Sequence, residues 1–289
     1  MPQTFWSHTI WYLILGFFTV LELAYVLIKA DNRKLMLGLF LTISGILFMI
    51  EIQVLAVFKA YEYSPMIAAH ISNTDDSIIG NVFSQFSIAA TALLVSFLKL
   101  KKYWYLICAL IYGGIEELFL YLGIYQHNWY RTWMTIIGFT LLIWILNRIY
   151  QRVMGRPGRI FLYICIYFAV YTLFVHLIGT PIRLFSIPPW KLLLRDEWGS
   201  IAINVGVNYL LLFGSIFTAY FSRLKWKGHA AVIAALYALY FVAYAVGYIV
   251  FGSILQVLTL STIHIVGMYL FIYTVDRLYG RIPAFRAKA

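Results

Sequence analysis

Four glutamates and two histidines fall inside long apolar runs, where ionisable groups are costly and point to function by default. They are Glu22, Glu51, Glu116, Glu117, His176 and His264, and the amides of Gln53, Asn204 and Asn208 are similarly placed. An ionised carboxylate in hydrocarbon costs upward of ~2.5 kcal/mol. No Lys or Arg stands at mid-depth in these runs to offset it; only Arg131 and Arg183 could reach down from the rim. Each carboxyl must therefore be protonated, hydrogen-bonded to His, Asn or Tyr, or neutralised by a bound cation. Groups in that state can hold a proton or cation, bind a small ligand, or act as general acids.

Spacing narrows the set. Glu51 and His176 each lie about 24 Å along their helices at ~1.5 Å per residue, and Glu116 and Glu117 about 20 Å. Asn204 and Asn208 are four apart and share a helical face. His264 shares a stripe with Ser261 and Gly267, and Glu116 with Gly113 and Gly123, the pattern of a helix–helix contact rather than a lipid face. Glu116 and Glu117 diverge by about 100° around their helix. The expected ligand-binding residues are Glu51, Glu116, Glu117, His176, Asn204, Asn208 and His264, gathered in the outer half of a bilayer. Glu22 sits nearer the opposite face.

The elements that position these groups follow from composition. Of 289 residues, 63% are hydrophobic and 11% charged, against roughly 45–50% and about 25% in soluble domains. Mean hydropathy is +0.85, so lipid is the expected solvent. Apolar runs long enough to cross it lie at 10–28, 35–58, 78–98, 103–125, 132–148, 160–180, 200–221, 230–250 and 253–274. The last two are joined by Phe251-Gly252-Ser253, as in a helical hairpin. The reading is an all-α polytopic transmembrane bundle of about nine spans, one transmembrane domain over 1–289.

Net charge is +11, but the basic residues sit between the runs, which argues for membrane flanks and against a nucleic-acid face. Seventeen of the 22 Lys and Arg fall on one set of connections and the tail; the other side holds Lys59, Arg131, Arg183, Lys191 and Arg195. This alternation places the N-terminus outside and the C-terminus in the cytoplasm. The outer loop near 59–77 carries Asp75-Asp76. In the other long outer loop, 188–198 reads as an amphipathic helix lying in the interface, with Trp190, Leu193, Leu194 and Trp198 on one face. Cys108 and Cys165 read as small apolar packers, with neither disulfide framework nor metal spacing.

Motifs assign no activity. Glu116-Glu117 with later histidines invites comparison with intramembrane CAAX-type proteases. Tyr121 stands where their pattern has Arg, Thr172 where it has Phe and Met268 where it has Asn, so that chemistry is set aside. No phosphate loop, dinucleotide fingerprint or His-Glu-x-x-His occurs, and no metal site or cofactor is assigned. The stretch around Glu116–Trp133, with Leu122-Gly123-Ile124-Tyr125 and then His127 in a turn before Trp129, is similar to one in an uncharacterised family of multi-pass proteins from Gram-positive spore-forming bacteria. That resemblance implies a bacterial plasma membrane and carries no activity. The leading expectation is a site that binds or transports a small ligand, proton or cation. The alternatives are a membrane enzyme acting on a lipid or isoprenoid, and a non-catalytic membrane scaffold whose polar residues are packing glue; the expected partner is the lipid bilayer, with a small ligand or cation at the site.

Overall fold

A computed structural model describes residues 5–67, 72–155, 157–184, 197–249 and 253–280, with the side chains of 183–184 and 197–205 outside that description. Nine helices occur among the described residues: α1 Phe5–Lys29, α2 Arg33–Val57, α3 Asn73–Phe97, α4 Tyr103–Tyr121, α5 Thr132–Met154, α6 Arg159–Ile182, α7 Glu197–Phe221, α8 Trp226–Ala245 and α9 Ile254–Tyr279. Eight are long and apolar enough to cross a membrane; the described apolar part of α7 is the shorter Gly206–Phe221. Among the described residues the regular structure is helical apart from two three-residue strands, β1 Tyr61–Tyr63 and β2 Tyr125–His127, paired antiparallel.

Local chemistry sets the helix ends. Asn32 Oδ1 accepts from Leu35 N at 3.2 Å and starts α2. Ser72 Oγ accepts from Asp75 N at 3.0 Å and starts α3. Asp75 and Asp76 thus belong to the first turn of α3, where acids suit the helix dipole, and not to the loop the sequence suggests. Asp76 then holds the preceding loop by accepting from Met66 N and Ile67 N, both at 2.8 Å. The fourth span is shorter than the 103–125 expected. Gly123 adopts φ +70°, and Ile124 N bonds back to Phe119 O at 3.0 Å, a left-handed C-terminal cap. That frees Tyr125–His127 to pair with β1.

Helices α2 and α6 both change to π-helical winding near a polar residue. Gln53–Val57 follows Glu51 directly, and Val175–Gly179 contains His176. Such turns insert one extra residue and re-aim the side chains around them.

The chain divides into two compact units, residues 1–169 with 278–289, and Val170–Arg277. In the first, α3 packs against α1, α2 and α5, and α4 packs against α5. Small residues of α3 (Gly80, Ser87, Ala89, Ala90, Ala92) are buried, which lets its neighbours approach closely. In the second unit α7 packs on α8, and Gly267 of α9 admits Ile178 of α6 at a distance where a Cβ would collide. The proposed interfacial segment 188–198 lies outside the described residues up to 196, with Glu197 and Trp198 in the backbone of α7; Phe251 and Gly252 also lie outside.

Candidate functional site

The site is assembled by the small sheet. The register sets Tyr61 opposite His127 and Tyr63 opposite Tyr125. Alternation along β1 buries Tyr61 and Tyr63 on one face and leaves Glu62 exposed on the other. The buried rings form an aromatic layer: Tyr61 to Tyr130 4.9 Å, Tyr61 to Tyr125 5.2 Å and Tyr63 to Tyr125 4.9 Å between centroids. Tyr63 N donates to Ser77 Oγ at 2.9 Å, and Tyr12 OH donates to Ile124 O at 2.7 Å, so α3 and α1 both anchor this cap.

Beneath the cap lies a cavity of about 380 Å³ between α2, α3, α4 and α5, within the ~300–1,000 Å³ range of small-molecule sites. Glu51 of α2 and Glu116 of α4 both border it, as do Tyr61, Tyr63, Tyr125 and Tyr130 from above. The Tyr61 hydroxyl donates to Glu51 Oε1. Glu116 is fully engaged: His127 Nε2 lies 2.6 Å from Oε1, and the Thr135 hydroxyl donates to Oε2. Both partners of the His127–Glu116 pair are about nine-tenths buried, with side chains 11% and 10% exposed. Gln85 of α3 lines the same cavity at 4% exposure.

The rest of the wall is apolar. Leu47, Ile88, Ile115, Phe119 and Phe139 line the interior. Ile50 of α2 and Leu141 and Ile145 of α5 line it too, yet are 50%, 56% and 45% exposed, so the cavity opens sideways between α2 and α5. At another part of the wall stands Tyr112, whose hydroxyl meets Ser87 at 2.6 Å and Thr91 at 3.0 Å; Thr91 in turn donates to Glu22 at 2.8 Å. Glu22 is thus joined to the cavity wall through hydroxyls.

The environment acts on the cap tyrosines. Burial, followed by the charge of Glu51, holds the Tyr61 hydroxyl well above its ordinary range. Burial pushes Tyr130 up to about 12; Glu116 and Glu51 add to this, and the Thr135 hydroxyl, 3.2 Å away, opposes it. These phenols remain neutral donors over the whole physiological range.

The other expected residues lie elsewhere. Glu117 accepts from the Thr132 hydroxyl at an exposed position and does not border the cavity, in keeping with its angular offset from Glu116. Gln53 is exposed. Asn208 and His264 meet in the second unit through Tyr240: its hydroxyl lies 2.8 Å from Asn208 Oδ1 and 2.6 Å from His264 Nδ1. Phe174 packs its ring 5.5 Å from that of His264. A smaller cavity of about 150 Å³ borders Asn208 and Tyr240. His176 lies in the π-helical turn of the same unit, and the side chain of Asn204 is outside the described residues. Residue-type reasoning missed Tyr61, Tyr125, Tyr130, Thr135 and Gln85. His127, seen only as a rim residue, proves to be the partner of Glu116.

Among the described residues no group of three or more His, Cys, Asp or Glu has the arrangement to hold a metal ion. No protein-family model, curated protein or solved structure matches the chain.

Proposed function

We propose that this protein binds a small membrane-borne ligand in the Glu51–Glu116 cavity, admitted from the bilayer between α2 and α5. The observation that carries this reading is the sideways mouth at Ile50, Leu141 and Ile145, leading along apolar walls to two buried carboxyls. A packing device needs no such opening, and polar groups that serve only as glue sit sealed between helices. The ligand therefore presents an apolar body to the groove and a polar head to Glu51, Glu116 and Gln85.

The frame for this site is a nine-span bundle in a bacterial plasma membrane. The lysine and arginine alternation supports an outside N-terminus, and the resemblance around Glu116–Trp133 supports the bacterial location. With that orientation the tyrosine cap closes the outer end of the cavity. Exchange of a proton or cation at the carboxyls then offers a way to couple ligand release to transport.

One observation favours a second reading, an enzyme acting on a lipid. The His127–Glu116 pair beside an apolar groove has the form of a carboxylate-oriented general acid or base.

The test of the binding reading is photoaffinity labelling in nanodiscs with an alkyl diazirine probe, followed by peptide mapping. Labels concentrated on the α2 and α5 segments that contain Ile50, Leu141 and Ile145 support it. Labels spread evenly over the exposed apolar residues of all helices refute it. A lipid substrate converted by wild-type protein and untouched by His127→Ala would establish the enzyme reading.

A further inference from the structure

Resting on that cavity as the ligand site, we infer that the ligand's head is a protonated amine carried on an apolar tail. The head seats against Glu51 under the tyrosine rings of the β1–β2 cap.

Charge selects the head. Two carboxyls and no Lys or Arg border the cavity, so a phosphate or carboxylate head would enter without a counter-charge and against like charge. Availability then selects the carboxyl. Glu116 already receives His127 on one oxygen and Thr135 on the other. Glu51 receives one bond among the described residues, from Tyr61, and keeps acceptor capacity toward the cavity.

A third acceptor is independent of the carboxyls. Gln85, 4% exposed, borders the same space. Its amide oxygen suits an N–H donor. An ammonium brings three donors, enough for Glu51, Gln85 and one further acceptor.

The rings supply the rest. Tyr61, Tyr63, Tyr125 and Tyr130 border the cavity, with neighbouring ring centroids 4.9–5.6 Å apart. Aromatic faces grouped beside a carboxylate attract cations, and most strongly where water is excluded. The Ile50, Leu141 and Ile145 opening lets the tail pass outward while the head stays inside.

The experiment is calorimetric titration of wild-type protein in phosphatidylcholine nanodiscs with decylamine, decanol and decyl phosphate, with protein-free discs subtracted. Decylamine is expected to bind at least tenfold tighter than decanol, with decyl phosphate weakest. Glu51→Gln should remove the amine's advantage over decanol, and an unfolding temperature and helical circular dichroism equal to wild type report an intact fold. Decanol or decyl phosphate binding as tightly as decylamine overturns the amine head and leaves the cavity reading standing. Failure of all three to bind above the protein-free discs overturns both. Should Glu51→Gln not fold, the wild-type series alone decides the matter.

Discussion

His127 Nε2 stands 2.6 Å from Glu116 Oε1, which ties β2 to α4 through one of the cavity's own carboxyls. The Tyr61–Glu51 bond does the same for β1 and α2. The cap is therefore fastened by the cavity's two carboxyls, so that a ligand that engages Glu51 also acts on the stability of the cap.

Removing the imidazole exposes that coupling. His127→Ala leaves a nine-tenths buried carboxyl with threonine hydroxyls, Thr135 foremost, as its partners, and should cost about 1.5–3 kcal/mol, the range for hydrogen bonds to charged groups. Chemical denaturation in detergent measures it. Stability unchanged from wild type would show that the pair contributes nothing to holding the cap.

The seat of the cap on α3 depends on one glycine. A Cβ on Gly80 would overlap Cβ of Tyr63, an atom fixed to the strand backbone rather than the end of a mobile side chain. Gly80→Ala should destabilise by about 1–3 kcal/mol, as overpacking does. It should also speed amide exchange at 61–63; exchange identical to wild type would contradict the contact.

Alkaline titration tests the burial of the cap. Tyr130 is pushed up to about 12, first by burial, whereas an unfolded tyrosine ionises near 10. The raised folded value means that stability is intact below pH ~10 and is lost as pH rises through the folded value near 12. The difference in 295 nm absorbance between wild type and Tyr130→Phe should therefore appear above pH 11. A difference centred near pH 10 would mean that the ring is solvated.

In the second unit, Tyr240 joins Asn208 to His264. Tyr240→Phe removes both bonds and should cost about 1–2 kcal/mol, the penalty of unpaired buried groups. A thermal midpoint equal to wild type would show that these partners find other bonds.

The long apolar helices were legible in the sequence because unbroken apolar runs mark them directly, and α1–α6, α8 and α9 overlap the expected runs. Glu51 and Glu116 were legible as carboxyls out of place. Tyr61, Tyr125 and Tyr130 were not, because tyrosines at span ends look like an interfacial belt. Their role depends on two strands of three residues, sixty-odd positions apart, whose pairing no local periodicity announces. Thr135 and Gln85 are ordinary polar residues of a span until the cavity is seen. The left-handed Gly123 that ends α4 and releases β2 could have been suspected from Leu122-Gly123, but the apolar run continues past it.

The most direct measurement uses Gly138 of α5, which lines the cavity and around whose Cβ position no atom lies within 4 Å. Gly138 is exposed at the cavity's edge, so Gly138→Trp sets an indole across the opening without a clash and replaces the poorest ordinary helix former by a better one. The variant should unfold at or above the wild-type temperature in nanodiscs, yet lose decylamine binding by at least tenfold. Wild-type affinity in a folded Gly138→Trp protein would contradict the cavity as the ligand site.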